Sequence, residues 1–392
     1  MIKFALRRNL IYPLQLIIWN SLRNIETIFI NYLFNFKDSL VYTPLMFIGE
    51  FISGLIIYSR LKNFFKKEEK EEKPAKYLSI TLIKNQKEFT YPDSIKKIFL
   101  LIFFTAFFDW IQFYIWIGYI LKSQKISNTY YSRLNGIQTI FCSLYYYYVL
   151  GLPIFKHQIF SLIIIGICLI IIIISEFFFQ KVNIFFTYFD FIRILLGTFL
   201  SHILSSLNDL VEKYLFEYNY LNPFFVLMWE GIFGFFISFL LFLNLDYLDD
   251  IKFTCNNLST GNIFLFIFLL LLYIILSGGR NVFRVVTIKL YSPMARALTD
   301  YFLNPFYLIY YFSNGTDFLN NEKKDVFYFT INLILSIFIS ICGCIYNEFI
   351  ILFFCSLERS THDQISKRAN ITLEMHPKSI DVDIDNDEID YN

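Results

Sequence analysis

Two glutamates stand in stretches built almost wholly of apolar residues. Glu50 lies in "MFIGEFISG" (46–54) and Glu230 in "VLMWEGIFG" (226–234), each four residues ahead of a glycine. A carboxylate in such surroundings holds a proton, pairs with a cation, or faces a wet cavity. The natural cationic partners are Arg133 in "NTYYSRLNG" and Arg296 in "LYSPMARALTD", one per half of the chain. Arg296 and Asp300 are four apart and share a helix face, and Asp209 adds a further acid. Glu50, Arg133, Glu230, Arg296, Asp300 and Asp209 are therefore the candidates for a polar path or its gates. Glu50, Glu230 and His202 are the candidates for proton coupling. The competing reading is that Glu–Arg pairs only lock each half of the chain together, and His202 equally fits a packing role. The residues leave both readings open.

Other charges have simpler explanations. Arg23 and Glu26 are three apart and neutralise each other. Arg284 and Lys289 read as snorkelling from a cytosolic helix end. Glu212 and Lys213 read as lying near another such end, and Glu348 as interfacial. Asp109 and Arg280 complete the set.

Helices must position these groups, and the composition says of which kind. Of 392 residues, 56% are apolar and only 17% charged, against about a quarter charged in soluble chains. A spanning helix needs roughly 20 apolar residues, which "SLIIIGICLIIIIISEFFF" (161–179) supplies. Windowing predicts ten spans, at 10–34, 40–62, 97–121, 127–150, 157–179, 190–215, 222–244, 262–286, 293–312 and 328–355. The expected fold is an all-α membrane protein of ten transmembrane helices in two inverted five-helix repeats. Residues 1–9 form a cytosolic N-terminus. Residues 10–179 form the first repeat, with a charged cytosolic loop at 63–96. Residues 190–355 form the second, and 356–392 an acidic, disordered cytosolic tail.

The Lys-rich "KNFFKKEEKEEKPAK" and the acidic "DYLDD" fall on opposite sides of this arrangement, so the positive-inside rule puts both termini in the cytosol. Asn257 and Asn314 head glycosylation acceptor patterns and fall in loops expected on the lumenal side. The basic start "MIKFALRRNL" reads as a retained first helix.

The repeat rests on short matches between the halves. Besides the two glutamates and two arginines, "IIIGICLI" and "SICGCIY" each place a Cys beside small residues. Five spans per repeat force the second copy to insert upside down, with a solute site at the repeat interface. Pro305 and the pair Gly278–Gly279 are expected to break helices nine and eight beside such a site. The aromatic "SLYYYYVLG" of helix four either lines the path or faces lipid.

"MFIGEFISGLIIY", "DLVEKYLFEYNYLNPFFVLMWEGIFGFFIS", "LYSPMARALTDYFLNPF" and "CIYNEFIILFF", in this order, resemble the drug/metabolite transporter superfamily. More narrowly they resemble the F-type members of the solute carrier 35, nucleotide-sugar-transporter-like branch. The resemblance runs over roughly residues 10 to 360. It implies ten helices in two inverted repeats, alternating access, and an endomembrane location such as Golgi, lysosome or vacuole. It leaves the substrate open. The first 48 residues hold no glycine, where the family's first helix has small residues. The recognition motifs of the nucleotide-sugar members are also missing, which points away from that substrate.

The function expected from these features is a secondary transporter of a small polar metabolite. A channel, or a receptor or scaffold that kept the carrier fold, is the alternative. An enzyme is not expected: the sequence has no HExxH, GxSxG, CxxC or GxGxxG. No cofactor and no metal is expected, because "DVDIDNDE" fails the calcium-loop pattern and the six cysteines form no ligand motif. The near-zero net charge implies no nucleic-acid partner. The partners expected are a small-molecule substrate, the lipid bilayer and a second copy of the chain.

Overall fold

The computed structural model describes residues 3–4, 11–34, 40–71, 93–116, 130–151, 154–180, 188–240, 249, 251–252, 256, 263–313 and 322–351. Among the described residues the chain is all-helical apart from one two-residue strand pairing. Its helices are α1 (Ile11–Phe34), α2 (Tyr42–Glu71), α3 (Ile95–Phe113), α4 (Tyr130–Arg133), α5 (Gly136–Tyr148), α6 (Lys156–Gln180), α7 (Tyr188–Glu217), α8 (Pro223–Ser238), α9 (Ile263–Leu290), α10 (Pro293–Ser313) and α11 (Glu322–Tyr346). The strands β1 (Lys3–Phe4) and β2 (Ile350–Ile351) pair antiparallel, so the two ends of the helical region meet. Asn257 and Asn314, the tail 356–392 and most of the loop 63–96 lie outside the described residues.

Among the described residues six helices, α2, α3, α6, α7, α9 and α11, are long and apolar enough to cross a membrane. Their outward faces fit that medium. On α6 the exposed residues Ile159, Ile163, Ile167, Ile170, Ile174 and Phe178 form one continuous stripe. At the helical rise it runs about 28 Å, close to the roughly 30 Å of a hydrocarbon core. Tyr147 and Tyr148 are also exposed, so these two aromatics of helix four face outward.

Local signals set the helix starts. Asn222 accepts from the Phe224 amide at 2.9 Å, with Pro223 in the first turn of α8. Ser292 does the same for Ala295 at 3.1 Å, ahead of Pro293 in α10. At the start of α3, Asp93 binds Lys97 Nζ at 2.6 Å, Tyr214 Oη at 3.0 Å and Asn219 Nδ2 at 3.2 Å. The Lys97 bond foremost, with help from Asn219 and Tyr214, holds the Asp93 carboxyl below its usual range.

Helix breaks differ from expectation. α9 runs unbroken through Gly278–Gly279, and α10 continues through Pro305. The break falls instead at Leu134–Asn135, between α4 and α5. The glycines of α9 serve close packing: a Cβ on Gly278 would stand 2.6 Å from the Gly49 carbonyl, and one on Gly49 would stand 2.5 Å from the Ile274 carbonyl. Gly231 of α8 likewise packs on the backbone of Phe47 and Phe51. α2 is thereby held backbone-to-backbone against both α8 and α9.

The packing partners form a regular pattern. When α4 and α5 are taken as one broken helix, the helices named above, among the described residues, make ten units in chain order. Units 1 and 8 pack as 6 and 3 do, 2 and 8 as 7 and 3, 1 and 9 as 6 and 4, and 9 and 10 as 4 and 5. The pairs 2–7, 5–10 and 4–9 map onto themselves. Exchanging the halves preserves these neighbours but not 7–8, 8–9, 6–8 and 6–9, whose counterparts 2–3, 3–4, 1–3 and 1–4 do not pack to a like extent.

The seam gives a direct test. Gly49→Leu and Gly231→Leu, by overpacking α2, are expected to lower stability by about 1–3 kcal/mol or more. Gly166→Leu, where nothing stands within 4 Å of the added Cβ, should be neutral. Thermal unfolding of the purified variants measures the contrast, and equal loss in all three would contradict the close-packed seam.

Candidate functional site

The glycine seam brings ionisable side chains from several helices to one place. Arg284 of α9 lies 2.6 Å from Glu212 of α7, 3.2 Å from Glu230 of α8 and 3.9 Å from Asp109 of α3. One turn earlier, Asn281 donates to Glu50 of α2 at 2.6 Å and accepts from Arg280 at 2.8 Å. Asp109 also accepts from Asn208 of α7 at 3.1 Å. Arg284, Glu212, Glu50, Glu230 and Asn281 are all buried, while Asp109 and Arg280 are partly exposed.

A second group continues from the first. Arg296 of α10 lies 3.3 Å from Asp209 and from Ser205, both on α7. Asp209 also accepts from Gln138 of α5 at 2.6 Å. On α1, Asn20 donates to Asp300 at 3.1 Å, and Arg23 donates to Asn20 at 3.3 Å. Ser205, Asn208, Asp209 and Glu212 follow i, i+3, i+4, i+7 spacing, so α7 presents them as one polar face. That face supplies acids to Arg284 of α9 and Arg296 of α10.

Arg133 belongs to a separate cluster. Its guanidinium binds Glu176 of α6 at 2.8 Å and Asn332 of α11 at 2.7 Å, and lies 5.3 Å from the Tyr328 ring centroid. Tyr328 donates to Glu176 as well. All four side chains are buried. This cluster ties α4, α6 and α11 at the helix break.

Four expectations from the sequence are corrected by this geometry. The Arg23–Glu26 pair does not form: Arg23 donates to Asn20 at 3.3 Å, and both Glu26 carboxylate oxygens are buried without a hydrogen bond. The pairing of Glu50 and Glu230 with Arg133 and Arg296 does not form: Glu230 takes Arg284, Glu50 takes Asn281, Arg133 takes Glu176 and Arg296 takes Asp209. Arg284 does not snorkel and Glu212 is not at an exposed end; both are in the centre of the network. The reason is Lys213, whose ammonium caps the carbonyls of Ile288, Lys289 and Tyr291 at 3.0, 3.1 and 3.2 Å and covers the end of α9 with α7. Glu348 is buried rather than interfacial, 3.5 Å from His157. His202 stacks on Tyr131 with ring centroids 4.6 Å apart, and its Nε2 is 3.3 Å from the Tyr131 carbonyl.

Sequence reasoning missed Glu176, Asn281, Asn20 and Gln138. Glu176 carried a legible signal, since a lone acid ending an apolar span needs a cation. The three amides carried none, because an uncharged amide does not demand an ionic partner. Among these charged groups, Glu26, Glu50, Asp109, Asp209, Glu212, Glu230 and Asp300 outnumber Arg23, Arg280, Arg284 and Arg296. The arrangement can bind cationic or amphoteric species, and it can exchange one counter-ion among several acids.

Compared with known proteins, the chain matches no family model and no curated sequence.

The Arg133 cluster separates locking from a working role. Arg133→Met alone leaves Glu176 buried without its guanidinium and is expected to cost about 3–5 kcal/mol. The pair Arg133→Met with Glu176→Leu should recover most of that loss, as read by thermal unfolding. Additive losses from the two substitutions would contradict the pairing.

Proposed function

We propose that the chain is a multi-pass secondary transporter that moves a small polar metabolite across an endomembrane by alternating access. The observation that carries this reading is the polar network joining α1, α2, α3, α5, α7, α8, α9 and α10. Buried charge on this scale is costly in a membrane, where one ionised side chain at the helix centre costs roughly 2.5–3.5 kcal/mol on insertion scales. A fold that only needed to be stable would do as well with apolar contacts.

The neighbour pattern supports ten spans in two repeats. Five spans per repeat would make the copies inverted, with the network at their meeting as the proposed solute path. The meeting of β1 with β2 supports termini on one side of the membrane, the cytosolic side by the Lys-rich loop. The four motifs of the sequence support membership of the drug/metabolite transporter superfamily, in the F-type solute carrier 35 branch. Glu230, Asp209, Arg296 and Asp300 are proposed to line or gate the path. Arg133 is proposed as the lock of α4 on α6 and α11.

Uptake into proteoliposomes preloaded with metabolite pools tests the reading, with Glu230→Gln as control. The expected result is trans-stimulated, saturable exchange with one pool, reduced at least tenfold in the control. Folded protein that exchanges with no pool would overturn the carrier reading in favour of a channel or scaffold.

A further inference from the structure

The two matching glutamates do not have matching partners. Glu230 has a guanidinium 3.2 Å away. Glu50 has only the neutral amide of Asn281, which donates to its Oε1 at 2.6 Å. The other oxygen, Oε2, is buried with no hydrogen-bond partner, and the residue has no exposed surface. The groups around it are known on every side. α9 brings Arg280, Asn281 and Arg284, α3 brings Asp109, α7 brings Glu212 and α8 brings Glu230. Farther along α9, Arg23 and Glu26 of α1 face Tyr273. Of the cations, Arg284 is engaged by Glu212 and Glu230.

An ionised Glu50 would leave one charged oxygen desolvated and unbonded beside three other acids. Neutral Glu50 avoids that, and its protonated oxygen is then the one without a partner. Glu230 Oε1 is likewise buried without a hydrogen bond, so what separates the pair is the cation: Glu230 has a guanidinium at 3.2 Å and Glu50 a neutral amide at 2.6 Å.

We infer that Glu50 is a proton-binding site, and that it competes with Glu212 and Glu230 for the buried counter-ion Arg284. When the path opens to an alkaline compartment, the Glu50 proton passes to water. The carboxylate left behind draws Arg284 toward α2 and away from α7 and α8. Reprotonation from the acidic side returns Arg284 to Glu212 and Glu230. One proton enters and one leaves per cycle, and the cluster is one unit more negative while Glu50 is deprotonated, whichever acid holds the guanidinium. The chain would therefore drive its solute with a proton gradient. This coupling rests on the carrier reading; the proton site itself does not.

Infrared difference spectroscopy of the full chain in lipid vesicles, with the proton as the probe, tests the site. Wild-type protein at neutral pH should give a protonated-carboxyl band that shifts in heavy water and disappears on alkaline titration. Glu50→Gln should remove that band, and Asp249→Asn, at an exposed residue, should keep it. Asn281→Leu retains Glu50 but removes its hydrogen bond, so the band should move to higher frequency. A band unchanged in Glu50→Gln, or unmoved in Asn281→Leu, would overturn the assignment. Proteoliposome exchange under an imposed pH gradient tests the coupling. Wild-type exchange should accelerate severalfold with the gradient, and Glu50→Gln should exchange without that acceleration. A Glu50 band with no exchange by any pool would keep the proton site and sink the carrier reading. Exchange without a Glu50 band would do the reverse.

Discussion

The structure depends on one buried cation. Arg284 is among the largest side chains wholly removed from solvent, and it touches acids from α3, α7 and α8. A guanidinium has five donors in a rigid fork and is charged at any pH the protein meets. Three helices must therefore stay within reach of it. Removing it would strand Glu212, Glu230 and Asp109 together, a loss on the order of 3–5 kcal/mol or more. The central bundle is arranged around that requirement.

Close packing makes the requirement attainable. Gly49, Gly231 and Gly278 let α2, α8 and α9 approach until backbone meets backbone. Only at that distance do Glu50 and Glu230 reach side chains of α9 rather than lipid. Lys213 adds a second device, holding the carbonyls at the end of α9 against α7.

Much of the helix plan was legible because hydropathy is a one-dimensional signal. Each of the ten expected segments holds a described helix, and Glu50 and Glu230 stood out because an acid in an apolar run is visible without knowing its neighbours. Partners were not legible, since they depend on which helices touch. Arg284 looked like an interfacial residue because it lies close to Lys289 and the helix end. Nothing in the sequence says that α7 covers that end. Gly278–Gly279 looked like a break because glycine weakens a helix; in the fold the same pair receives Gly49 and Trp19. The actual break at Leu134–Asn135 has no proline to announce it.

Alternating access requires the polar interior to open to each side of the membrane in turn. Gln112 is the position to probe, being partly exposed on α3, one turn beyond Asp109 and 3.4 Å from Tyr131. A single cysteine at Gln112, in a chain whose six cysteines are replaced by serine, can be labelled by a membrane-impermeant thiol reagent in vesicles of known orientation. The account predicts labelling from either side, with solute shifting the two rates in opposite directions. A cysteine that reacts from neither side, or from one side only under every condition, would contradict it.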